Sequence, residues 1–130
     1  MTDYLKIEVI TSIKEFEALR GDWDQLLERS SSKNIFLTWE WLFTWYKFFG
    51  KGSPLLILVA KDEEGRLVGI APLLYSVYHT INTIDFLGSS HVCSDYLDFI
   101  VASHEEERTI KSFLDFLFDS SINWNIFLNN

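Results

Sequence analysis

Seven aromatic side chains crowd the eleven residues Trp39–Phe49. Trp39, Trp41, Phe43, Trp45, Tyr46, Phe48 and Phe49 cover a helix almost all the way round. Thr38 stands where an N-cap belongs and Gly50 where a C′ glycine belongs. A helix that is apolar on every side is buried on every side. In a chain of 130 residues a sheet covers one face of it. The other face calls for a second partner. Any fold for this chain must lay this helix on a sheet and leave something over for an interface.

The segments around it supply that sheet. Tyr4–Ile10 alternates apolar and polar residues, as a half-buried strand does. Ser12 with Glu15 forms a capping box and opens a first helix. Its apolar positions Phe16, Leu19, Trp23, Leu26 and Leu27 follow helical spacing, Gly21 weakens it without ending it, and Ser30 to Ser32 stop it. Pro54–Lys61 and Arg66–Tyr75 are strands joined by the hairpin turn Asp62-Glu63-Glu64-Gly65. Gly69 and Pro72 interrupt the second strand and predict a bulge or an edge near Ala71-Pro72. Ile81–Leu87 and Tyr96–Val101 are further strands, the latter continuous enough to be central. Ser103 caps a helix running to about Asp119, and Trp124–Leu128 is a last strand. The order is β-α-α-β-β-β-β-α-β. This is an α/β (α+β) fold, with a mixed, mostly antiparallel sheet of about six strands and three helices on its faces. No linker or repeat divides it, so residues 1–130 read as one domain.

Charge and composition narrow the function. The formal net charge is −8, from 19 acids against 11 bases, with no Lys/Arg cluster. Nucleic acid needs a basic face to displace its counterions, so it is not an expected partner. An anionic membrane surface would also repel the chain, and Leu55–Ala60, the longest purely apolar run, is too short to span a bilayer. A single cysteine fits a reducing compartment, and the first residues lack a signal-peptide pattern. The expectation is a soluble cytoplasmic protein without membrane insertion.

Reactive side chains gather in one place. Gly88 to Val101 holds His91, Cys93, Ser94, Asp95 and Asp98. His91, Cys93 and Asp95 alternate along one loop, whereas catalytic triads converge from separated segments. Cys93 therefore reads as a small packed thiol. His91-x-Cys93 lacks two further ligands at usable spacing, so no metal is expected. Asp95 and Asp98 border an apolar strand, where a carboxylate needs partners or takes up a proton. Two readings of Asp95 stand. It accepts hydrogen bonds from loop amides such as Ser90 or Val92, or it lines a cleft together with Tyr96. The set Trp39, Trp41 and Trp45 has faces that could stack on sugar rings, although its spacing also suits core or interface.

Three segments together resemble a family. They are Phe36 with Thr38-Trp39-Glu40-Trp41-Leu42 and Trp45; Leu67-Val68-Gly69-Ile70-Ala71-Pro72-Leu73; and Phe86-Leu87-Gly88 with Ser94-Asp95-Tyr96-Leu97-Asp98 after it. In this order they resemble the N-terminal half of the acetyltransferases named for cellulose biosynthesis, the CelD type, of the Gcn5-related N-acetyltransferase superfamily. They are similar in plan to the FemAB-type aminoacyltransferases, which carry two such folds in tandem. The resemblance implies that this chain is one acetyltransferase-like half of a longer two-fold protein. It implies a splayed, bulged strand, acyl-CoA (acetyl-CoA or another) as donor, and a sugar or cell-envelope precursor as acceptor.

The implied acceptor contacts are Ser94, Asp95, Tyr96, Asp98 and Trp41. Cofactor-binding members open the helix after the central strand with a glycine-rich pyrophosphate loop. Here that helix opens Ala102-Ser103-His104-Glu105-Glu106-Glu107. Carboxylates repel a pyrophosphate there, so this half is not expected to bind CoA or to be catalytic alone. The partner is then a second acetyltransferase-like domain or a second copy of the chain. The alternative is a stand-alone interaction module that docks through its aromatic helix and an open sheet edge.

Overall fold

Lys6–Ile10 (β1) leads into two short helices, Ile13–Ala18 (α1) and Arg20–Glu28 (α2). A single 3₁₀ turn, Ile35–Leu37, precedes Trp39–Trp45 (α3), whose last turn continues as a π turn over Tyr46–Gly50. Strands Leu55–Lys61 (β2), Leu67–Tyr78 (β3), Ile81–Phe86 (β4) and Ile100–Val101 (β5) come next, then helix Glu106–Leu117 (α4). The computed structural model describes residues 5–31, 35–50, 52–78, 81–88 and 99–119. The expected strand Trp124–Leu128 lies outside these residues.

The α+β class is observed, with four α-helices among the described residues rather than three. The first helix divides at Leu19, whose N–H turns back to the Phe16 carbonyl at 3.1 Å. That tightened turn closes α1 before α2 begins. Phe16 and Trp23 nevertheless stay in contact, with ring centroids 5.4 Å apart. Both caps form as expected: Ser12 Oγ accepts the Glu15 N–H and Thr38 Oγ1 accepts the Trp41 N–H. Ser103 is not a cap. Its N–H bonds the Arg29 carbonyl at 2.8 Å, and Glu105 takes the N-cap position of α4.

Every strand pairing among the described residues is antiparallel, in the order β1-β2-β3-β4 with β5 also on β3. β2 is buried on both faces from Leu55 to Ala60. Strand alternation sends Leu55, Ile57 and Val59 to the side of α1, α2 and α3, where Phe16, Trp23 and Trp39 pack. Leu56, Leu58 and Ala60 go to the other side, against Phe113 of α4. The sheet is thus the middle of three layers.

β3 organises the outer half of the sheet. Its bulge is not at Pro72. Ala60 pairs Gly69 while Lys61 pairs Leu67, so Val68 is the extra residue. At Pro72 the strand changes partner instead. β5 pairs Gly69 and Ile70; β4 pairs Leu73 to Tyr78, along the same edge. The Pro72 carbonyl accepts the Leu87 N–H at 2.8 Å, so the donor that proline lacks would point into the gap between β4 and β5. The sheet forks where proline removes a rung. Of the expected strand Tyr96–Val101, residues 96–98 lie outside the described residues, and the described end is β5. It pairs β3 on one side, and a single bridge joins Ala102 to Ser30 beyond it.

Gly69 has a separate reason. A Cβ there would run into the Thr109 methyl and lie 3.2 Å from the Phe113 ring. Glycine lets α4 sit directly on β3.

Candidate functional site

The first turn of α3 is held by its neighbours. Trp23 Nε1 donates to the Leu37 carbonyl and Trp39 Nε1 to the Phe16 carbonyl, both at 2.9 Å. Asp24 accepts the Trp39 N–H at 3.3 Å. Burial, opposed by that hydrogen bond and aided by the nearby Glu40 carboxylate, raises the Asp24 pKa above the ordinary aspartate value. Arg20 reaches Glu40 at 3.5 Å and lies over the Trp39 ring at 5.0 Å.

With its start fixed, α3 buries Trp39, Leu42 and Trp45, and the π turn adds Tyr46. Within the π turn Phe49 lies beside Trp45, four residues before it, with centroids 6.1 Å apart, and Phe48 stands out at 74% exposure. Gly50 does not take the left-handed C′ conformation expected of it, since the positive-φ glycines among the described residues are Gly65 and Gly88. It is small because a Cβ would meet the Tyr46 ring.

The result is a groove of about 550 Å³ lined by Ile35, Thr38, Glu40, Trp41, Thr44, Trp45, Phe48 and Phe49. Ile35 is 66% exposed and Phe49 46%. Trp41 forms its wall, braced edge-on by Phe36 at 5.1 Å. Among the residues that line it, only Glu40 carries a charge. The groove is built to hold an apolar surface rather than to move a proton. The helix is therefore covered on one face and open on the other. A three-tryptophan sugar platform is not available: Trp39 and Trp45 are buried, and Trp41 alone of the three is partly exposed.

No family model, no curated protein and no solved structure matches this chain. The reading of the site therefore rests on its own geometry.

Of the acceptor contacts implied by resemblance, Trp41 lies in the groove. Ser94, Asp95, Tyr96 and Asp98, with His91 and Cys93, lie outside the described residues. Among the described residues no group of three His, Cys, Asp or Glu side chains is placed to hold a metal. No helix among them is long and apolar enough to cross a membrane.

The start of α4 carries the acids expected there. Glu106 and Glu107 occupy its first turn. Arg108, the cation nearest to them in the chain, is engaged. Its Nε donates to Glu105 at 2.7 Å and another guanidinium nitrogen to Glu63 at 3.2 Å. Those partners, the Glu105 hydrogen bond foremost, hold its pKa above the usual arginine value. His104 precedes them with φ of 72°, a left-handed conformation uncommon outside glycine.

The π turn and the part of Ile35 in the groove are not legible in the residues. Two adjacent phenylalanines before Gly50 are the one signal for the turn, and a helix end explains that pattern equally well.

Proposed function

We propose that this chain is the docking half of a two-fold acyltransferase-like assembly, without catalytic power of its own. The observation that carries this reading is the open face of α3. Phe48 and Phe49 stand out beside Trp41 in one apolar groove, although the opposite face of the same helix is fully packed. A contiguous exposed apolar patch of this kind marks an interaction surface.

Two features support the acyltransferase part. β3 is bulged at Val68, and its partners diverge at Ala71-Pro72, in keeping with the splayed strand that the resemblance implies. The helix after β5 opens with Glu105, Glu106 and Glu107, and its Arg108 is already spent on Glu105 and Glu63. A pyrophosphate there would meet carboxylates instead of amides and cations. The acyl-CoA donor then belongs to the second fold, and this chain supplies a wall of the cleft for a sugar or cell-envelope acceptor. A stand-alone interaction module would use the same groove without any second acyltransferase fold.

Two titrations of the isolated chain test the reading. Calorimetry with acetyl-CoA is expected to show no binding at micromolar concentrations; a micromolar isotherm overturns the assignment of the donor to the second fold. An apolar reporter dye, anilinonaphthalene sulfonate, is expected to brighten on the wild type and not on Phe48→Asp. Equal brightening on both overturns the groove as the docking surface.

A further inference from the structure

β1 lies at the margin of the sheet. Among the described residues it pairs β2 alone, so its other edge offers a row of backbone N–H and C=O groups. Leu5, Ile7 and Val9 face α4. Lys6 and Glu8 face the opposite side, where Glu8 meets Lys6 at 3.6 Å and Lys61 at 3.2 Å. No charge of β1 therefore stands on the side of α4. Ile7 and Val9 are only half-buried there, although their partners on β2, Ala60 and Leu58, are fully buried.

Between this margin and α4 runs a groove of about 660 Å³. Leu5, Ile7 and Phe116 supply its apolar lining, and Glu107, Lys111 and Asp115 form a row along the helix. Steps of four residues advance a helix by about 6 Å, and alternate residues of a strand advance by about 6.6 Å. A strand added to the edge of β1 would thus bring its alternate side chains to that row one by one. The charges of the row are unequally matched. Lys111 pairs Asp115 at 3.0 Å, and Arg108 is taken by Glu105 and Glu63. Glu107 is exposed and has no cation of its own among the described residues.

We propose that the groove between β1 and α4 receives an extended segment of a partner protein, which adds to β1 as a further strand. It sets apolar side chains over Ile7 and Phe116 and a lysine or arginine against Glu107. The backbone ladder supplies affinity, and the alternate side chains supply selectivity. This surface lies across the sheet from the aromatic groove and stands independently of it.

A fluorescein-labelled peptide, Lys-Thr-Val-Thr-Val-Thr-Lys, tests this by fluorescence anisotropy with the whole chain. One of its faces carries both lysines and both valines, so it meets Glu107 in either direction. Saturable binding in the micromolar range is expected. Amides of a strand point alternately to its two edges, so alternate residues are N-methylated in two phases. One phase is expected to weaken binding about tenfold and the other to leave it unchanged. Equal loss in both phases, or in neither, overturns strand addition. Glutamate in place of both lysines is expected to weaken binding about tenfold, and Glu107→Lys to weaken the original peptide about fivefold. Full affinity on Glu107→Lys overturns that carboxylate as the partner of the base. Dye bound in the aromatic groove is expected to stay there when peptide is added. Its displacement puts the peptide in that groove and overturns the site on β1, as does the lack of saturable binding up to millimolar peptide.

Discussion

Asp24 on α2 accepts the backbone N–H of Trp39, the first residue of α3, at 3.3 Å. The carboxylate sits close to Glu40 and to Arg20, so the entry to the aromatic helix depends on one partly desolvated acid. Its raised pKa has a definite sign. The folded chain holds the Asp24 proton more tightly than the unfolded chain, so stability from this group is greatest below the unfolded value of 3.8 and is lost as pH rises through the folded pKa. Asp24→Asn keeps an acceptor for Trp39 and removes the charge. The variant is expected to be more stable than wild type at pH 7 and to lose that advantage near pH 3, by urea midpoints at both values.

Asp62 behaves oppositely. Its Oδ1 accepts the N–H groups of Glu64 and Arg66 at 2.9 Å, and Oδ2 accepts Arg66 Nε at 3.0 Å. The Arg66 backbone hydrogen bond, foremost among these, lowers its pKa. Stability from Asp62 is therefore present above the unfolded pKa and lost as pH falls through the lower, folded one. Asp62→Asn is expected to melt below wild type at pH 7, with the gap closing in strong acid, by thermal denaturation at each pH.

Gly69→Ala sets a Cβ against Thr109 and Phe113. Overpacking of this kind costs about 1–3 kcal/mol. Thr109→Ser deletes the methyl that the new Cβ strikes first. The pair is expected to be coupled: the double variant recovers part of the loss, measured by a urea double-mutant cycle. Independent, additive effects would mean that the new Cβ does not press on the Thr109 methyl.

Trp23→Phe leaves the buried Leu37 carbonyl without its indole donor. The expected loss is about 1–3 kcal/mol from that group alone, with a cavity term in addition. Phe48→Asp, by contrast, is expected to stay within about 0.5 kcal/mol of wild type, because Phe48 is 74% exposed. Guanidinium denaturation of the two variants side by side checks the contrast.

The features legible in the residues are those that depend on near neighbours. The Ser12 and Thr38 caps, the strand β2 and the Asp62–Gly65 turn each come from a short pattern, and each forms. The helical spacing of Trp39, Trp41 and Trp45 is also readable, but not which of the three faces outward. That depends on where Phe16 and Trp23 arrive from two other helices, α1 and α2. The partner switch at Pro72 looks like a bulge in the sequence for a similar reason. A proline announces a missing donor, while the strand that fails to meet it is set by the two different strands arriving at β3. The winding of Tyr46–Gly50 leaves no distinct mark at all, since the same residues would also end an ordinary helix.

The double burial of β2 has a consequence for how the chain must be handled. Leu55–Ala60 is six consecutive apolar residues with high strand propensity and no charge, the composition of a segment prone to stack with copies of itself. In the native sheet β1 and β3 occupy its two edges. β3 is next to it in the chain and closes by a tight turn, but β1 must arrive from the far end of two helices and the aromatic stretch. Until it does, one edge is bare. Lys61 and the acids Asp62, Glu63 and Glu64 come directly after and act as gatekeepers against aggregation. Neutralising those charges is expected to lower the yield of refolding while leaving the finished fold intact.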